Sequence, residues 1–312
     1  MVLNGYLLKQ NSKKLVISFF RLGLIIGLAY VILYPILLKL SVSFMSSVDL
    51  ADFSVKWVPK DWTLQNFKVA AKAMDYWSSL TLTFGVSLTS MILQTLFCTL
   101  AGYGFARFEF KGKNIIFLIV LLTLIIPPQT YMVSSYTQFL YFDFFGIGKL
   151  LGMAPVKLIN TPIPLFLLSI GGVATKNGLY IYVARQFFEK LPKEIEEAAE
   201  VDGAGVFTTC FRIMIPNARP AIVTISVLSF IWVYNDLYMA TTYMPELKMF
   251  STVLSTLPYV FKSAMSGPGA ATIEVSVITN AGALLTIIPI IIIFFLVQKM
   301  FVEGVERTGI TG

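Results

Sequence analysis

The side chains able to do chemistry in this 312-residue chain gather in two short segments. The first reads Leu191-Pro192-Lys193-Glu194-Ile195-Glu196-Glu197-Ala198-Ala199-Glu200-Val201-Asp202-Gly203-Ala204 and continues to Ile213-Met214-Ile215-Pro216. Its spacing predicts a short helix with explicit ends. Pro192 suits the first turn, where a missing donor costs nothing, and Glu194, Glu196 and Glu197 meet the positive end of the helix dipole. Gly203 is placed to stop the helix in a left-handed cap. Ile195, Ala198, Ala199 and Asp202 share one face, and the alanines keep that face low. Such a helix can seat in a cleft of another protein, or lie on a membrane surface as an amphipathic connector. Periodicity alone leaves both open.

The second segment is Phe230-Ile231-Trp232-Val233-Tyr234-Asn235-Asp236-Leu237-Tyr238. It offers aromatic faces, an amide and a carboxylate, the groups that hold a polyhydroxylated ligand. Asp236 follows Arg219 by 17 residues, about 26 Å along a helix axis. Trp232, Asn235 and Asp236 then either line a polar path, or Asp236 anchors an interhelical hydrogen bond while the aromatics sit in an interfacial belt. Gln129, with Thr130, joins the candidates because the neighbouring Pro127-Pro128 pair frees backbone acceptors beside a polar lining.

Catalysis is poorly supplied. The chain has no histidine, which removes imidazole metal sites and Ser-His or Cys-His nucleophile pairs. Its two cysteines, Cys98 and Cys210, fall in unlike surroundings and do not make a disulfide framework. Gly112-Lys113 and Gly148-Lys149 lack the upstream glycine and following Ser/Thr of a phosphate-binding loop. No cofactor or metal is expected, and any nucleotide chemistry must come from elsewhere.

The elements that must position these segments are membrane spans. Charged residues make up 13% of the chain and hydrophobic ones 56%, with a mean hydropathy of +0.77; a soluble domain carries about 25% charged residues. Uncharged runs cover 22–38, 76–106, 114–142, 158–175, 220–235 and 275–298. A helix needs roughly 20 apolar residues to cross a hydrocarbon core, and continuous runs without two-residue alternation argue for helices over a barrel. The expectation is an all-α polytopic protein of six spans. The fourth run is interrupted at Gly171-Gly172 and Lys176, with a restart near Leu179. The stretch from Leu15 to Leu38 reads as an uncleaved first span. Net charge is +7; with both termini on the cytoplasmic side, fourteen of the 24 Lys and Arg fall in cytoplasmic segments, as the positive-inside rule requires. The basic residues form no aromatic-interleaved patch of a nucleic-acid binder.

Glu197-Ala198-Ala199, Gly203 four positions after Ala199, and Ile213 with Ile215-Pro216 match the spacing of the EAA motif of binding-protein-dependent importers, with Ile215 replacing the usual leucine. Asp61-Trp62-Thr63-Leu64-Gln65-Asn66-Phe67, Tyr103-Gly104-Phe105-Ala106-Arg107-Phe108-Glu109-Phe110-Lys111-Gly112, Pro127-Pro128-Gln129, Arg185-Gln186-Phe187-Phe188 and the ending Phe301-Val302-Glu303-Gly304 extend the match. Over about residues 15–312 the chain resembles the MalG-like permeases of carbohydrate ABC importers. The resemblance implies one permease domain over 1–312 with a cytoplasmic coupling loop at 189–216, in the bacterial inner membrane. It implies half of a path for an oligosaccharide, beside a second, MalF-like permease, two ATP-binding-cassette ATPase subunits and an extracellular sugar-binding protein. Glu197, Ala198, Ala199, Asp202 and Gly203 would then touch the ATPase: a charge contact at Glu197, close approach at the alanines, a required turn at Gly203. An ion-coupled secondary transporter is the rival reading; it would carry acids or histidines deep in its spans, and these spans are nearly free of them.

Overall fold

The structure, a computed structural model, describes residues 2–52, 54–264 and 270–309, with side chains described over 14–262 and 274–299 apart from residues 16, 53 and 145. The side chains of the quoted ending Phe301-Val302-Glu303-Gly304 therefore lie outside the described residues. The principal helices are α1 (Val2–Ser43), α2 (Gln65–Ala73), α3 (Tyr76–Arg107), α4 (Lys113–Ile125), α5 (Gln129–Leu140), α6 (Ile163–Ile170), α7 (Asn177–Lys190), α8 (Glu194–Val201), α9 (Arg219–Asn235), α10 (Leu237–Tyr243), α11 (Phe250–Ala264) and α12 (Ala270–Gly309). Among the described residues strand pairing is limited to two isolated bridges, Met45 with Trp62 and Phe142 with Val156.

The chain divides into two compact units, Met1–Ala73 with Leu257–Leu285, and Met74–Thr256 with Thr286–Gly312. In the first, the stretch Ile17–Ser43 of α1 is long and apolar and none of its most hydrophobic window is buried, as expected of a helix meeting lipid rather than water. The segment after it is tied back: Asn66 Nδ2 donates to the carbonyls of Ser43 and Met45 at 2.9 Å, and buried Asp49 accepts the Asp61 amide at 2.9 Å. Phe44 packs its ring on Trp62 and Phe67.

The second unit is built on α3. Ser79, Thr83, Ser87, Ser90, Gln94, Cys98 and Gly102 recur every three or four residues along its buried face, while Phe84, Leu88, Ile92 and Leu96 point outward. This inversion of the soluble pattern is what lipid demands, because small residues let helices approach closely. At Gly102 the approach leaves no room for a side chain: a Cβ would collide with Ala184 Cβ and lie 2.8 Å from the Arg185 amide nitrogen. Buried polar groups close the same interface. Gln94 Oε1 accepts from Ser229 at 2.5 Å, Gln94 Nε2 donates to Ser169 at 3.4 Å, and Asn177 Nδ2 donates to the Ser169 carbonyl at 3.0 Å, joining α3, α6, α7 and α9.

The six uncharged runs read from sequence become a more broken set. Three helical stretches are each long and apolar enough to cross a membrane, Ile17–Ser43, Tyr76–Arg107 and Glu274–Lys299, and two further runs qualify only as bent pairs. The run 114–142 turns by 101° between α4 and α5. Ile126, forced out of the helical region by the following proline, is extended at φ −72°, ψ 116°. The freed Pro127 carbonyl accepts the amide and hydroxyl of Thr130, at 3.0 and 2.7 Å. The run 158–175 shortens to α6, and α7 begins after left-handed turns at Gly172 (φ 74°) and Lys176 (φ 69°). A second bend, 75°, separates Val206–Asn217 from α9.

Candidate functional site

The C-terminal end of α8 is the one its sequence dictates; at the other end the helix begins at Glu194 after Lys193, and Pro192 lies before the first turn that it was expected to occupy. Gly203 is left-handed at φ +81°. Its amide donates to the Glu200 carbonyl at 3.0 Å while the Ala204 amide reaches the Ala199 carbonyl at 2.9 Å. This reciprocal pair satisfies two carbonyls that the last turn would leave bare.

One side of α8 is fastened to the unit. Glu196 accepts a hydrogen bond from Tyr103 Oη at 3.0 Å and forms an ion pair with Arg107 Nε at 3.1 Å. Arg107, with only 6% of its side chain exposed, also donates to the Leu191 carbonyl at 2.8 Å. Ile195 packs into an apolar cluster with Tyr103, Phe188, Cys210 and Met214. Ala199 is 5% exposed and turned inward. The opposite side is bare: Glu197, Ala198, Asp202 and Gly203 are exposed, and beside them Val201 and Phe207 are 88% and 80% exposed. The five residues singled out in the sequence thus divide, with four outward and Ala199 inward. Glu109, in the α3–α4 turn, is held below the usual carboxylate range chiefly by the hydrogen bond from Lys113 at 2.9 Å, with Lys193 assisting.

The second candidate group lies at the far end of α9. Asp236 ends that helix and caps α10: Oδ1 accepts the Met239 amide at 2.9 Å and Oδ2 accepts from the Thr175 hydroxyl at 3.2 Å. Asn235 is exposed and donates back to the Ile231 carbonyl at 2.8 Å. Trp232 is 44% exposed, and its ring lies 4.7 Å beneath the Lys176 ammonium. A cleft of about 610 Å³ opens beside these residues, lined by the α4–α5 bend, Tyr131, Ser134, Gln138, Thr175 and Lys176. Gln129 is exposed at the head of α5 but does not line it; the polar groups one to three turns further on do.

Sequence reasoning missed the roles of four participants. Glu196 was assigned only to the helix dipole, because its partner Tyr103 lies 93 residues away. Tyr103 and Arg107 were noticed as a turn motif and not as the anchor of α8. Lys176 stands in the sequence only as an interruption of the fourth run, although a cation inside an apolar run is itself a signal.

With this geometry in view, comparison with known proteins is informative. Residues 73–307 match the family model described as "Binding-protein-dependent transport system inner membrane component". The arabinooligosaccharides transport system permease protein AraQ of Halalkalibacterium halodurans is 27% identical over 288 residues, covering 91% of this chain and 93% of that one. The maltodextrin transport system permease protein MdxG of Bacillus subtilis is 28% identical with the same coverage. Among solved structures, a chain of a bacterial ABC transporter involved in the import of the acidic polysaccharide alginate superposes with a TM-score of 0.70 at 21% identity, over 92% of this chain and 96% of that one. That last likeness is one of fold. The family match spans three quarters of the sequence and contains both α3 and the whole of α8, so this chain belongs to the inner-membrane components of binding-protein-dependent transport systems.

Proposed function

We propose that the chain is one of two permease subunits of an ATP-driven oligosaccharide importer, forming half of the path and coupling to separate ATPases through α8. Its relatives at 27–28% identity carry arabinooligosaccharides and maltodextrin in their names; an oligosaccharide is the matching substrate class here. The observation that carries the reading is the two-sided character of α8. Its inner side is riveted to α3 by Glu196, Tyr103 and Arg107, while Glu197, Ala198, Asp202 and Gly203 stand free beside exposed Val201 and Phe207.

A helix fixed on one side and free on the other transmits a displacement. An ATPase closing around the free side would move α3 as a rigid body, biasing a two-state arrangement of the spans. In this scheme Glu197 and Asp202 supply charge contacts, Ala198 allows close approach, and Ala199 is the small residue that lets α8 sit down on its own chain. The chain itself breaks no bond. Both termini in the cytoplasm would put α8 on the ATPase side, and the face opposite would receive an extracellular sugar-binding protein. The second subunit of the pair is a different, MalF-like permease. Ion-coupled secondary transport is the weaker reading: among the described residues no carboxylate lines the cleft, and the nearby Asp236 is occupied as a helix cap.

The test is affinity purification in detergent with identification of co-purifying chains. The expected result is recovery of a second permease and an ATPase, with the ATPase lost on Gly203→Pro while the second permease is retained. Purification of the chain with no ATPase from intact membranes contradicts the proposal.

A further inference from the structure

Lys176 is the one charged side chain lining the 610 Å³ cleft among the described residues, and no carboxylate lines it. From Lys176 to Lys190, where α7 ends beside α8, is 14 residues, about 21 Å of helix. Trp232 lies 13 residues from the start of α9, about 20 Å along that axis. The two therefore meet about 20 Å along their helices from the α8 side, and a charge at membrane depth is costly and is kept for a purpose. Among the described residues Lys176 has no hydrogen-bond acceptor and no ion-pair partner; its described contact is the face of Trp232. Asp236, the nearby acid, is already engaged by Met239 and Thr175. Lysine also adopts the left-handed conformation seen at φ 69° reluctantly, and strained backbone of this kind collects at ligand sites.

We infer that Lys176 and Trp232 form a subsite for an acidic saccharide, the ammonium pairing with a sugar carboxylate while an aromatic face and the cleft groups Tyr131 and Gln138 meet the rings and hydroxyls. The inference rests on the sugar-import reading and narrows it from oligosaccharides in general to those bearing an anionic group. A charge-assisted contact exceeds a neutral hydrogen bond by enough to change affinity about tenfold.

The test reads the cleft itself. Cys98 and Cys210 are buried, so Ser134→Cys gives a maleimide-reactive position within it. The full complex carrying this change, in phosphatidylcholine nanodiscs, is labelled in the presence of trigalacturonate or maltotriose. Trigalacturonate is expected to half-protect the cysteine at about a tenfold lower concentration than maltotriose. Lys176→Asn, neutral and tolerant of the left-handed turn, is expected to remove that difference, and Lys176→Arg to keep it. Equal protection by the two sugars, absence of protection by both, or a difference that survives Lys176→Asn overturns the inference. So does protection produced by phosphatidylglycerol nanodiscs without sugar, which assigns the ammonium to a lipid headgroup. ATP-driven uptake by the same complex separates the two levels: uptake of maltotriose without cleft protection defeats only this subsite, whereas absence of ATP-driven uptake of either sugar defeats the importer reading.

Discussion

Glycine at 203 answers a demand of the backbone and not of space. A Cβ there would touch nothing within 4 Å, yet φ is +81°, a region that costs other residues about 1–2 kcal/mol. Gly203→Ala should therefore accelerate amide exchange across the last turn of α8 by about tenfold and reduce ATPase recovery without loss of expression. Unchanged exchange would remove the cap from the mechanism. The glutamates of α8 divide in the same testable way. Glu196→Gln breaks the pairing of a nearly buried Arg107, whose side chain is 6% exposed, at about 1.5–3 kcal/mol, visible as a lowered melting temperature in detergent. Glu197→Gln, on the bare side, should change stability by less than about 0.5 kcal/mol while weakening ATPase retention. The cap was legible in the sequence because it is local. The anchoring role of Glu196 was not, since it depends on Tyr103 and Arg107 arriving from another helix.

Helices in this protein are joined by absence of bulk as much as by contact. The collision a Cβ at Gly102 would make with Ala184 predicts that Gly102→Leu separates α3 from α7 and costs about 1–3 kcal/mol. Lower thermal stability together with partial loss of the second permease on purification is the expected outcome; wild-type stability would contradict the packing described. At the α4–α5 bend of 101°, two missing amide donors prevent the helix from running on. Pro127→Ala with Pro128→Ala restores those donors and should straighten the run, close the cleft, and make a cysteine placed at Ser134 at least tenfold less reactive to maleimide. The apolar runs that became helices were plain in the sequence, because hydrophobic length is a one-dimensional property. The 101° angle was foreshadowed only by the Pro127-Pro128 pair, and the cleft not at all, since Tyr131, Thr175 and Lys176 converge from separate elements.

At the scale of the whole molecule, the chain pairs an apolar exterior with one small helix that is fixed inward and bare outward. Composition made the membrane class readable, and the spacing around Glu197 and Gly203 made the family readable before any coordinate. The division of the chain into units and the orientation of Ala199 required the fold, because both depend on contacts between distant segments. The most direct measurement concerns the bare side of α8. Inverted membrane vesicles carrying Ala198→Cys, stripped of peripheral subunits, are treated with a bulky membrane-impermeant maleimide and offered the purified ATPase subunit. Modification is predicted to occur in these vesicles and to weaken ATPase rebinding at least tenfold. A cysteine that labels only in right-side-out vesicles, or a fully labelled chain that rebinds the ATPase undiminished, would contradict it.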